Sequence, residues 1–282
     1  MKHSWTRLIF GSIILAEAVV AQPRPPLARD PGPFAPEYAN IDARGGAQQS
    51  KQGAGPLTHL AGGRPDFGGD GAWYPGFSGN IAEKQWKGVK SADEHVDVPF
   101  LRSALAVFNQ RVENLAKDDP EAQCLPVGVP RYMFDPYPFE MLQTPDRVVF
   151  LFEGDNYLFR IVPTAANAAH PPNLKPTWMG DAVGRYEGDT LVVDVTGFND
   201  KSWLDQAGHP HSNRMHLTER YTRIDSLTMK YQVSIDDPGA YSQPWTATNT
   251  VRFRPGLKLG ESICQENEKD SAHMRGLANP GK

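Results

Sequence analysis

The stretch WMGDAVGRYEGDTLVVDVTGFNDKSWLDQAGHPHSNRMHLTERYTR, residues 178–223, decides how the chain is read. Within it Leu191, Val193 and Val195 alternate with Thr190, Asp194 and Thr196, broken only by Val192, which is the pattern of a strand with one buried face. Gly188-Asp189 lies between two β-prone segments, so Val183 to Asp194 is predicted to be a tight hairpin. A second run sets Met215, Leu217, Glu219 and Tyr221 on one face and His216, Thr218, Arg220 and Thr222 on the other. Glu219 therefore falls in the apolar register, where a carboxylate is costly unless paired; Arg185 and Arg220 are the partners nearest to hand.

Working outward, strand signals recur at Arg147–Glu153, Tyr157–Val162, Leu227–Ile235, Thr246–Arg254 and Leu257–Cys264. Turn residues separate them: Gly154-Asp155-Asn156, Asp225-Ser226 and Pro255-Gly256. With Val183–Glu187, Thr190–Thr196 and Met215–Arg223 the expected total is about eight antiparallel strands in a meander. Closing that meander into a barrel removes the exposed sheet edges, and a barrel of about eight strands has room for side chains plus one small ligand. The fold class is thus mainly β, with one amphipathic helix predicted over Pro99–Lys117 from the spacing of Leu101, Leu105, Phe108, Val112 and Leu115.

At 282 residues and 39% apolar content, one core domain is expected, spanning residues 81–274 and followed by a short tail, 275–282. Residues 22–80, rich in Pro, Gly, Ala and Gln without a sustained period, are expected to be an irregular arm. Trp73, Tyr74 and Phe77 would pin part of it to the barrel or form an aromatic lid. Residues 1–21 have a basic start, an apolar run from Leu8 to Leu15 and small residues before Gln22, as a secretory signal peptide does, and no integral membrane segment is expected after its cleavage. A periplasmic or secreted location follows. In that compartment Cys124 and Cys264, the two cysteines, are expected to form a disulfide, the alternative being two buried thiols. The net charge of -4 and the absence of a basic run argue against a nucleic-acid partner.

CLPVGVPR (124–131), PTWMGDAVGRYEGDTLVVDVTGFND (176–200), GHPHS (208–212), LTERY (217–221) and CQENEKD (264–270) resemble a large group of uncharacterised secreted bacterial proteins. The GRYEGDTLVV hairpin followed by TERY also resembles lipocalin-like barrels in general. The first resemblance implies export and no particular activity; the second implies a fold, and fold does not fix function.

The chemistry must come from the residues. His209 and His211 in HPH, with His216 five residues on, could form a zinc or copper set; the plain alternative is three hydrogen-bonded or exposed loop histidines. Glu219, His216 and Asp205 could supply an acid and a base, whereas Asp181 and Asp200 could equally cap turns. There is no GxSxG around Ser212 or elsewhere, and no P-loop, dinucleotide fingerprint or HExxH. Trp178, Arg185, Trp203, Tyr221 and Trp245 are candidate contacts for a sugar or aromatic ligand in a barrel mouth, or else part of the core. Glu219 and the histidines are expected to meet at that mouth, because the connection 199–214 is too long for a tight turn.

Two classes of function remain. The first is a barrel that holds a small apolar, aromatic or sugar-like molecule. The alternative is a hydrolase or lyase built on the histidines and carboxylates of residues 199–219, and a purely structural role is the third possibility. Stoichiometric zinc or copper in the purified protein would favour the enzyme.

Overall fold

The computed structural model describes residues 54–82, 97–154 and 158–264. The proposed signal peptide, the arm before residue 54 and the C-terminal tail lie outside them. Nine antiparallel strands form one sheet, curled into a nearly closed barrel. They are β1 (Gly71–Pro75), β2 (Phe139–Gln143), β3 (Arg147–Phe152), β4 (Phe159–Pro163), β5 (Asp181–Glu187), β6 (Thr190–Thr196), β7 (His216–Asp225), β8 (Thr228–Asp236) and β9 (Trp245–Pro255). Around the barrel their order is β4-β3-β2-β1-β9-β8-β7-β6-β5.

The alternation seen in the sequence sets the register. On β7 Leu217, Glu219, Tyr221 and Arg223 are buried, and on β8 so are Met229, Tyr231, Val233 and Ile235. Glu219 stands between Val193 of β6 and Val233 of β8, while Tyr221 stands between Leu191 and Tyr231. Each aliphatic side chain buried this way stabilises the barrel by about 1.5–3 kcal/mol. Between β5 and β6 the chain reverses in two residues, and Gly188 takes the left-handed φ of 55° that such a turn demands of its first residue.

Three expectations are corrected. Leu257–Cys264 is not a strand, and the count reaches nine through β1 and β2, neither of which carries a clear alternating run. β1 lies inside the stretch expected to be an arm, yet it sits in the middle of the sheet between β2 and β9. The rest of that stretch, residues 54–70, ties three hairpin turns together at one end of the barrel. The Gly55 N–H donates to Ser226 Oγ, His59 Nε2 meets Asp189 Oδ1 at 2.7 Å, and Arg64 donates to the carbonyls of Thr144 and Pro145.

The helix, α1 (Arg102–Glu113), is shorter than expected and packs on a different face. Ala104 is its buried residue, with Phe108 and Arg111 half-buried beside it; Leu105, Val112 and Leu115 are exposed. Arg111 accounts for the rotation, because its guanidinium lies 4.2 Å over the Trp203 ring and donates to the Gly208 carbonyl. Helix α1 and the connection 197–215 together cover the barrel end opposite residues 54–70.

Cys124 and Cys264 form the disulfide, with Cα atoms 5.6 Å apart across 140 residues. For so long a loop the chain-entropy model gives roughly 5 kcal/mol. Arg131 is fully buried and holds Asp119, Glu121 and Asp135, so CLPVGVPR ends in a buried ionic clamp. Among the described residues no helix is long and apolar enough to cross a membrane.

The barrel closes imperfectly at one place. β4 and β5 stand at the two ends of the sheet and share no ladder. There Gly184 lies against Val162, so close that a Cβ on Gly184 would come 2.8 Å from Val162 Cγ1. Side-chain packing takes the place of hydrogen bonds along this seam.

Candidate functional site

The site begins with two charged residues in inward registers. Glu219 points into the barrel from β7, and Arg160 does so from β4, where it alternates with the exposed Phe159 and Ile161. Arg160 Nη2 donates to Glu219 Oε2 at 2.5 Å. The hydroxyls of Tyr221 and Tyr231 both donate to Glu219 Oε1 at 2.8 Å. Glu219 thus pairs with neither Arg185 nor Arg220, which instead share Glu187 on the outer surface.

All four groups are buried. Burial opposes the charge on Arg160, but the Glu219 carboxylate and the two tyrosines outweigh it and hold the guanidinium above its ordinary value. Burial, reinforced by the neighbouring carboxylate, pushes both phenols well up, so they remain neutral donors. Aromatic rings surround the centre: Phe150 lies 5.2 Å from Tyr221, Tyr221 lies 5.1 Å from Tyr231, and Phe134 lies 5.8 Å from Tyr231.

One member of the centre is incompletely satisfied. Glu219 has donors on both oxygens, but Arg160 Nε and Nη1 have no hydrogen-bond partner among the described residues. A buried donor in that state costs about 1–3 kcal/mol, more when charged. It is also the kind of group a ligand satisfies.

The histidines do not join this centre. His216 faces outward, as its register required, and meets Asp194 Oδ2 through Nε2 at 2.8 Å. His170, from the connection between β4 and β5, bridges Asp181 at 2.5 Å and Asp194 at 2.8 Å through its two ring nitrogens. Burial disfavours its charge, yet those two bonds prevail and raise its pKa above 6.5, as an imidazolium donating from both nitrogens requires. Asp181 accordingly binds a histidine rather than capping a turn.

His209 and His211 are buried in the connection over α1. His209 stacks on Phe100 with ring centres 5.4 Å apart, and its Nδ1 meets Asp205 Oδ2 at 2.7 Å. Asp205 also accepts from the N–H groups of Ile81, Gly208 and His209, which makes it a tie between loops rather than a partner of Glu219. His211 Nδ1 faces the Ser212 carbonyl at 3.2 Å, so Nε2 accepts from the Ser202 hydroxyl at 2.9 Å. Burial lowers the pKa of His211 and keeps it neutral. Ser202 is itself buried, with Gly128 packed against it.

The expected single mouth therefore divides into three places. Glu219 is inside, His216 outside, and Asp205, His209 and His211 lie in the end cover. Among the described residues no group of three or more His, Cys, Asp or Glu side chains converges as a zinc or copper set would. The aromatic candidates divide as well. Tyr221 belongs to the interior, Trp203 and Trp245 are buried in the end cover, Trp178 is half-buried beside the seam connection, and Arg185 is exposed. Arg160 was the residue the sequence reading passed over. In Phe159-Arg160-Ile161-Val162 it shares the register of Val162, the same signal that marked Glu219.

No family model, curated protein or solved structure matches the chain.

Proposed function

We propose that this protein is an exported, lipocalin-like binder that holds a small apolar or aromatic molecule in its barrel, with the ligand's polar group at the Arg160–Glu219 centre. One observation carries the reading: two nitrogens of a buried guanidinium, Arg160 Nε and Nη1, have no partner among the described residues, inside an aromatic lining where every other member of the centre is satisfied. Polar atoms that fix a ligand's orientation in a mostly apolar pocket have this character. The disulfide supports an oxidising compartment, in keeping with the signal-like residues 1–21 and the resemblance to secreted bacterial proteins. The hydrolase or lyase alternative keeps one His–carboxylate pair, Asp205–His209, but that pair is buried and tied to loop N–H groups, while Glu219 and His216 lie elsewhere.

Native mass spectrometry of protein purified without organic solvent tests the reading. A small-molecule adduct that disappears after solvent extraction is the expected result, with thermal stability falling on extraction and returning on reconstitution. Protein of bare sequence mass, unshifted in melting temperature by a broad panel of apolar and aromatic compounds, would remove the proposal.

A further inference from the structure

The charge balance of the interior says what kind of polar group the ligand presents. Arg160 contributes one positive charge and Glu219 one negative, 2.5 Å apart, and the two tyrosines are held neutral. The centre is therefore already neutral. An anionic ligand would add a second buried negative charge beside Glu219 with no cation to answer it, an uncompensated desolvation that opposes binding. A ligand amine would face the guanidinium's N–H groups donor to donor.

The other inward arginine does not change this sum. Arg223 lies four residues from Glu219 along β7, about 13 Å at strand rise. It spends its donors on the carbonyls of Asp66, Asp225 and Ser226, fastening the end of the barrel.

We infer that the ligand is an uncharged molecule bearing a carbonyl or ether oxygen, which accepts from Arg160 Nη1 while its apolar body lies against Phe150, Tyr221 and Tyr231. Such an oxygen supplies the missing acceptor and leaves the charge balance untouched. Arg160 also stands on β4, the strand that borders the barrel's only unladdered line among the described residues, so the donors lie beside the one break in the hydrogen-bonded wall. The inference rests on the proposed binding function and adds the chemical class.

Matched probes test it on the full-length purified protein after solvent extraction. 2-Acetylnaphthalene is compared with 2-naphthoate, and methyl dodecanoate with dodecanoate, by calorimetry or tryptophan quenching at pH 8, where both acids are ionised. The neutral member of at least one pair should bind tenfold or more tightly than its acid. Arg160→Lys keeps a cation for Glu219 but withdraws the Nη1 donor, and should weaken the neutral probe about tenfold. Equal or tighter binding of the acids overturns the inference and leaves the binding function standing, as does undiminished ketone or ester binding by folded Arg160→Lys. If that variant does not fold, the comparison on the unaltered protein decides alone. If neither pair binds while another molecule is carried by the native protein, only the chemical class fails; if none is carried, the binding function fails with it.

Discussion

Strand β7 takes part in an ionic centre on each face of the sheet. Inside, Arg160, Glu219, Tyr221 and Tyr231 meet away from water; outside, Asp181, His170, Asp194 and His216 form a chain that solvent reaches. The ingredients are alike, but the surroundings reverse their meaning. Water can stand in for a partner in the outer chain, so the loss of one member there costs little. Nothing replaces a partner inside, and each polar group there must be answered or must await an answer.

The sharpest way to break this comparison is to neutralise Glu219. Glu219→Gln leaves the Arg160 charge buried and unpaired, and should lower unfolding free energy by about 3–5 kcal/mol in a urea titration. The double change Arg160→Met with Glu219→Leu should recover most of that loss only when Tyr221→Phe and Tyr231→Phe accompany it, because the apolar pair asks for no partner but leaves those two hydroxyls without theirs. A cost below about 1 kcal/mol for Glu219→Gln would mean that water reaches the centre.

Next come the tyrosines. Tyr221→Phe and Tyr231→Phe each remove one hydrogen bond to a charged acceptor, and each should cost about 1.5–3 kcal/mol. If the two together cost no more than one alone, a single hydroxyl satisfies Glu219 Oε1 and the count of donors inside must be revised.

The outer chain should respond to pH rather than to loss of packing. His170 has a folded pKa raised above 6.5, so the stability it contributes is fully present below the unfolded pKa and fades as pH rises through the folded one. The melting temperatures of the native protein and of His170→Gln should thus differ most near pH 6 and converge towards pH 9. A gap that stays constant would assign His170 a role in packing. His216→Ala, at a largely exposed pair, should cost less than about 1 kcal/mol, measured in the same titration.

How far the sequence could reveal all this depends on what each signal encodes. The hairpins from β5 to β8 were legible because alternation reports a half-buried strand directly. β1 was not, since Gly-Ala-Trp-Tyr-Pro has no polar face: it is buried nearly throughout, between two neighbours, and nothing alternates. The helix face was misjudged because Arg111, a charged residue, packs on Trp203 while leucines stay outside. Glu219 was recognised as needing a partner, but a partner drawn from β4 lies 59 residues away and is visible only once the barrel curls round. The supposed union of Glu219 with His216 contradicted the same alternation that had placed them on opposite faces.

The seam between β4 and β5 follows from arithmetic. Eight antiparallel ladders join nine strands, so direction reverses eight times on the way round and the two end strands point the same way. Zipping them would require slanted parallel bonds in a sheet whose every other ladder is perpendicular. An inserted hairpin adds two strands and preserves the mismatch, so the edges would still meet in parallel. The seam lies where the one parallel ladder would have to form, and side-chain packing closes it instead.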